Sequence, residues 1–139
     1  DGIRDIGVTG VQTCALPISM PEHLARYRLA DLFLDTFPFC AQTTASDALW
    51  AGVPVVTCVG ESSMSRICAS LLHALDMPEL VTGSLQEYER KVLELANDKN
   101  KLEETKQKLK EQKQTAPLFN TEMYTRNIEK MYLEMNSEN

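Results

Sequence analysis

The chain is 139 residues long, which allows one domain or a piece of a larger one. Apolar residues make up 43% and charged residues 24%, an ordinary balance for a globular protein. The net charge of −6 predicts no general attraction to nucleic acid or to an anionic membrane, and no apolar run is long enough to span a bilayer.

The first stretch, residues 1–19, does not resemble folded protein. It has no helical or strand periodicity, and it lacks the basic segment and apolar core of a signal peptide. A string of codons that looks like a short-read sequencing adapter encodes it residue by residue, with Ile6 and Gly7 in the variable index. Our hypothesis is that residues 1–19 are a translated, non-native tail and that the folded chain begins near Met20. A natural disordered tail is the alternative, and the DNA of this region distinguishes the two.

Two apolar runs and the segment between them predict a βαβ unit. A helix is predicted first, over residues 21–30, because proline suits a first turn. Continuous apolar runs at 32–34 and 55–59 are typical of buried parallel strands. Between the two runs, a short helix is predicted to begin at Thr43-Thr44 and to end at Gly52.

The second half of the chain predicts mainly helices. One is predicted from about residue 66 to Pro78, and a brief third strand follows at 80–81. Ser84 and Glu87 have capping-box spacing, which indicates a helix to about residue 96. After a break at 97–100, a charged helix over 101–113 has only Leu102 and Leu109 as apolar anchors.

The last helix, from about residue 121, has an apolar stripe that needs a partner surface; its members are Tyr124, Ile128, Met131, Tyr132 and Met135. Short strands alternating with helices indicate an α/β fold. Three strands make a narrow sheet with open edges, so residues 20–139 are interpreted as a fragment of a larger domain.

The start of the helix at Thr43-Thr44 is the predicted ligand site. A helix N-terminus offers free N–H groups and a partial positive charge, which suit a phosphate. The threonine hydroxyls either cap the helix or donate to phosphate oxygens, and Thr44 with Asp47 has capping-box spacing. Asp47 in a first turn would repel a bare phosphate, so it favours a nucleotide whose ribose hydroxyls donate to it.

Other polar and aromatic residues allow two interpretations. His23 and Arg26 lie three apart on one helix face, either contacting a base or forming a solvated surface. Trp50, Tyr124 and Tyr132 are predicted to be packing residues. The sequence contains no Walker A loop, no nucleophile elbow and no HExxH motif.

The cysteines indicate a reducing compartment. They lack C-x-x-C spacing and nearby histidines at zinc-ligand intervals; they are Cys14, Cys40, Cys58 and Cys68. We therefore predict free buried thiols, no metal site and a cytoplasmic location.

Several spaced motifs stand in unbroken order: His23-x-x-Arg26, Thr43-Thr44-x-x-Asp47, Leu49-Trp50-Ala51-Gly52-x-Pro54 and Gly60-Glu61-x-x-x-Ser65-Arg66. Through them, residues 20–138 resemble the O-GlcNAc transferase family, in particular its bacterial members with tetratricopeptide repeats. The resemblance implies a GT-B glycosyltransferase, of which this chain is the last part of the C-terminal, donor-binding domain. The family transfers a sugar, usually N-acetylglucosamine, from a UDP-sugar to Ser or Thr of proteins, with inversion and without a metal or other cofactor.

By this resemblance, His23 and Arg26 lie at the uracil, Thr43 and Thr44 at the diphosphate, and Asp47 at the ribose. Gln42 stands where the family commonly has histidine; glutamine can donate to a phosphate but can neither carry charge nor shuttle a proton. The acceptor-side domain and the repeats that hold a protein acceptor are missing, so the isolated chain is expected to be inactive. Two alternatives stay open: a relative using UDP-glucose or another UDP-hexose, including transfer to asparagine, and a degenerate nucleotide-binding module.

Overall fold

A computed structural model describes residues 19–137, so the predicted tail lies outside the described residues except for Ser19. Ser19 caps the first helix by accepting a hydrogen bond from the backbone N–H of Glu22. Residues 19–137 contain six α-helices and three strands, which alternate as far as β3 and are followed by helices alone. The helices are α1 Met20–Tyr27, α2 Thr43–Ala51, α3 Ile67–Ala74, α4 Leu85–Asn97, α5 Lys99–Thr115 and α6 Thr121–Ser137; the strands are β1 Phe33–Leu34, β2 Val55–Cys58 and β3 Val81–Thr82.

The three strands form a short parallel sheet in the order β1-β2-β3. Phe33 pairs with Val55 on one side of the central strand, and Thr57 pairs with Val81 on the other. All four residues of β2 are buried, which explains why every residue of this strand except Thr57 is apolar. The predicted α/β fold with a short parallel sheet is confirmed.

The core lies between the sheet and the surrounding helices. Its largest fully buried side chains include Leu49 of α2 and Leu72 of α3. Leu109 is also fully buried and attaches the charged helix α5 to this core, as its spacing predicted, while Leu102 is half-buried. No helix within residues 19–137 is long and apolar enough to cross a bilayer.

Several predicted boundaries are wrong by a few residues. Helix α3 ends at Ala74 instead of at Pro78. Helix α1 ends at Tyr27 instead of residue 30, because the next N–H groups bond to carbonyls three residues back in a turn. The third strand is Val81–Thr82 instead of 80–81, because Leu80 belongs to the turn Pro78–Leu80. Helix α5 begins earlier than predicted, because the Asp98 carboxylate accepts from two N–H groups of its first turn.

Most of the apolar stripe of α6 is exposed in the described structure. Tyr124, Met131, Tyr132 and Met135 are each more than half exposed, while Ile128 is half-buried. Because Tyr124 and Tyr132 belong to this stripe, the packing role predicted for them depends on a partner surface and stays a prediction. Trp50 is half exposed, although its ring meets Phe119 edge-on at a centroid distance of 5.1 Å. The partner surface expected for α6 stays a prediction.

Candidate functional site

The candidate site lies at the start of α2, just beyond the carboxyl end of β1. Gln42 is the N-cap residue, and its carbonyl accepts the first helical bond from the Ser46 N–H at 3.0 Å. Its side chain makes no capping hydrogen bond. Thr43 and Thr44 are the first two helical residues, and both are exposed. The first-turn N–H groups thus have no side-chain cap, which leaves them open to an anion.

The predicted capping roles of Thr43 and Thr44 are wrong, because both residues already lie inside the helix. The cap position falls on Gln42, whose backbone is non-helical with φ −117° and ψ −90°. Asp47 lies beyond the first turn, which contains no acidic residue, so the predicted capping box with Thr44 does not form. Its carboxylate is therefore farther from the open N–H groups than the spacing suggested, and the expected repulsion of a phosphate is weaker.

The structure brings His23 of α1 to Asp47 of α2. The imidazole Nε2 lies 3.5 Å from Oδ2 of the carboxylate, and the two side chains are 37% and 22% exposed. Both polar groups therefore reach solvent beside the same helix. This contact carries a charge pair only when the imidazole is protonated. Two residues predicted to contact the base and the ribose of one nucleotide are neighbours in the fold.

Tyr27 ties α1 to the start of α2, and sequence reasoning missed it. Its hydroxyl donates to the Thr44 carbonyl at 3.3 Å, and its ring meets the His23 ring edge-on at 5.3 Å. Burial, followed by the nearby Asp47 carboxylate, raises the pKa of the phenol, so the hydroxyl stays protonated and able to donate. The signal available in the sequence was its position one helical turn after His23, on the same face.

Arg26 and Gln42 are placed less closely than the other predicted site residues. Arg26 is exposed on α1, and within residues 19–137 no hydrogen bond or ion pair joins its side chain to the other predicted site residues. Gln42 is half-buried at the N-cap, beside the exposed threonines. The structure thus brings His23, Thr44 and Asp47 together, places Gln42 and Thr43 next to them, and leaves Arg26 on the rim.

Asp35, the residue after β1, is a second position to which sequence reasoning assigned no role in the site. It is 7% exposed, and Oδ1 accepts hydrogen bonds from the N–H groups of Thr36 at 2.9 Å and Ala41 at 2.7 Å. Oδ2 accepts from the Thr57 hydroxyl at 2.6 Å. Asp35 therefore connects β1, β2 and the loop that leads into α2.

The described residues contain no group of three or more histidine, cysteine or acidic side chains placed to hold a metal ion. Cys40, Cys58 and Cys68 are buried free thiols, as predicted, while Cys14 lies outside the described residues. Burial, together with the adjacent Asp35 carboxylate, raises the pKa of Cys68. This thiol therefore stays protonated and is unsuited to nucleophilic chemistry.

Comparison with known proteins identifies the relatives of this chain. Residues 11–128 match the family model described as glycosyl transferase family 41. The matched range includes part of the predicted tail, so the origin of residues 1–19 stays a prediction.

Two curated relatives and one solved structure illustrate the similarity. The chain is 40% identical over 116 residues to a probable UDP-N-acetylglucosamine–peptide N-acetylglucosaminyltransferase of Arabidopsis thaliana, covering 82% of this chain and 12% of that protein. It is 38% identical to the corresponding enzyme of Caenorhabditis elegans, with 82% of this chain and 10% of that one covered. A mutant O-GlcNAc transferase of Thermobaculum terrenum matches in structure with a TM-score of 0.79 and 33% identity, covering 86% of this chain and 23% of that chain. The chain therefore spans only a small part of the length of these relatives, and it belongs to glycosyl transferase family 41.

Proposed function

We propose that residues 20–139 are the C-terminal, donor-binding part of a UDP-sugar-dependent protein O-glycosyltransferase with a GT-B fold. Its donor would be UDP-N-acetylglucosamine and its acceptors Ser and Thr hydroxyls of proteins. Three facts support this proposal: the family membership, the activities by which the relatives are named, and the small share of their length that this chain covers.

The observation that carries the proposal is the assembly of His23, Thr44 and Asp47 at the uncapped start of α2. Open N–H groups and threonine hydroxyls suit a diphosphate, and a carboxylate one turn along suits the ribose hydroxyls. His23 and, at the rim, Arg26 would flank the uracil. Negative charge that develops on the departing diphosphate would be stabilised by the helix N-terminus and the hydroxyl donors.

The site lies on an open surface. A groove of about 790 Å³ lies elsewhere, between the end of α2 and α5, where Trp50, Lys106 and Lys113 line it. An open donor surface is what a two-domain enzyme with its active site between the domains requires. We therefore propose that upstream regions of a longer protein supply the acceptor side, and that the isolated chain is inactive.

The proposal includes no metal cofactor, since the helix start and its hydroxyls are assigned the role of stabilising the diphosphate. It also includes a cytoplasmic location, supported by three buried free thiols of a kind that a reducing compartment preserves.

The test is a transfer assay on the full-length protein that contains this chain. UDP-N-acetylglucosamine, UDP-glucose and another UDP-hexose are each supplied with protein acceptors, and the modified residue is mapped by mass spectrometry. Transfer of N-acetylglucosamine to Ser or Thr supports the proposal. Transfer only from another UDP-hexose, or to asparagine, supports the first alternative. UDP binding without turnover supports the degenerate module, which Gln42 favours because glutamine cannot carry charge at the diphosphate.

A further inference from the structure

Among the described residues, no cationic side chain pairs with the buried carboxylate of Asp35. It is 7% exposed, and within residues 19–137 its hydrogen-bond partners are two backbone N–H groups, one hydroxyl and the Cys68 thiol. Burying a carboxylate is unfavourable unless hydrogen bonds replace its hydration. Three short bonds and the Cys68 thiol replace the hydration of this carboxylate, and together they determine the position of the side chain.

The hydrogen bond from the Ala41 N–H to Asp35 holds the loop directly before the candidate site. After Asp35 the chain turns through residues 36–40, and the Cys40 N–H bonds to the Met64 carbonyl at 3.3 Å. The Ala41 N–H then donates to Asp35 Oδ1 at 2.7 Å, directly before the N-cap Gln42. Asp35 thereby fixes where α2 begins relative to the end of β1.

The backbone of Asp35 is fixed as well. Its N–H donates to the Val56 carbonyl at 3.1 Å, and its carbonyl accepts from the Tyr88 hydroxyl of α4 at 2.9 Å. The Thr57 hydroxyl of β2 holds the other carboxylate oxygen. The loop into α2 is thus anchored to a residue that the central strand and α4 both hold, which is a rigid support for a ligand site.

We propose that Asp35 is a positioning residue for the donor diphosphate: through the Ala41 N–H it places the open first turn of α2, with Thr43 and Thr44, where the diphosphate binds. This inference rests on the proposed function. Asp35 does not contact the ligand, and what it contributes is geometry rather than charge. A carboxamide that accepts the same two N–H bonds preserves that geometry, with its amide group donating to the Thr57 hydroxyl.

The test measures the dissociation constant of UDP by titration calorimetry in the full-length protein, well below the melting temperature of every variant. Asp35→Ala should weaken UDP binding by about tenfold or more, because the half-buried Ala41 N–H loses its acceptor and the loop shifts. Asp35→Asn should stay within about threefold of the wild type. Thr57→Val is the matched control: it removes a bond to the same carboxylate and lowers stability, but it leaves the Ala41 bond in place.

Each outcome decides the inference. Unchanged affinity in Asp35→Ala overturns it while leaving the proposed function intact. Equal losses in Asp35→Ala and Thr57→Val show a general structural effect, and equal losses in Asp35→Ala and Asp35→Asn show an effect of charge; both overturn it. If Asp35→Ala does not fold, Asp35→Ser is judged by the same outcomes, since its short hydroxyl cannot replace the bond to Ala41. A wild type that binds no UDP overturns the proposed function and this inference with it.

Discussion

Gly60, which follows β2 and precedes the turn Ser63–Ser65, has no room for a side chain. An added Cβ would lie 2.6 Å from Ser65 Oγ, 2.9 Å from Ser65 Cβ and 3.3 Å from the Phe37 ring. Ser65 cannot easily move away, because it is 2% exposed and its hydroxyl donates to the Ser62 carbonyl at 2.8 Å. We therefore expect Gly60→Ala to lower the free energy of unfolding by about 1–3 kcal/mol, as other overpacked sites do. At roughly 4 °C per kcal/mol, the melting temperature falls by roughly 4–12 °C.

Gly83→Ala is the matched control for this substitution. The nearest atom to a Cβ there is Glu87 Oε2 of an exposed side chain, at the ordinary contact distance of 3.5 Å. It should change stability by less than about 1 kcal/mol, in the stabilising direction, because alanine restricts the unfolded chain. Thermal and urea unfolding of both variants, followed by circular dichroism, provide the comparison. Equal stability of the two variants would contradict the packing described for the loop after β2.

Two further predictions concern the helices of the second half. Leu109→Ala should lower the free energy of unfolding, measured in urea, by about 2–5 kcal/mol, because this side chain is fully buried. Leu93, on α4, is half exposed, so Leu93→Ala should cost less than about 1 kcal/mol. Similar losses in the two variants would refute the packing of α5 on the core through Leu109. Hydrogen bonds from Lys101 and Lys91 lower the pKa of Glu94 from 4.5 to about 2. The stabilisation from this group is therefore present above pH 4.5 and is lost as the pH falls towards 2. The difference in urea midpoint between the wild type and Glu94→Gln should shrink over this interval, and a difference independent of pH would contradict the pairing.

The features that could be predicted from the sequence are those with local causes. Strand β2 is a continuous apolar run because both of its faces are covered, and α2 ends at Gly52 because the backbone there has φ +91°, which glycine adopts without strain. The start of α2 at Thr43 and the burial of Leu109 also followed from spacing alone. For the same reason, the predicted α/β class was correct.

The features that could not be predicted join residues far apart in the chain. Asp35 accepts from Thr57 and Tyr88, and His23 reaches Asp47, only because the parallel sheet and its helices place them together. The incorrect capping prediction has a different cause. Which residue caps a helix depends on where the backbone leaves helical geometry, and here that point is Gln42, a residue type with no strong capping preference.

The measurement that tests the central claim most directly is the affinity of the full-length protein for UDP. Titration calorimetry should show saturable binding that Asp47→Ala and Thr44→Val each weaken by about fivefold or more, because each removes a polar group assigned to the ligand. Asp31→Ala is the control, since it removes an exposed carboxylate paired with Lys106 at 2.7 Å, and its affinity should stay within about twofold of the wild type. Absence of UDP binding, or the same affinity in all three variants, would contradict the assignment of the donor site to the start of α2.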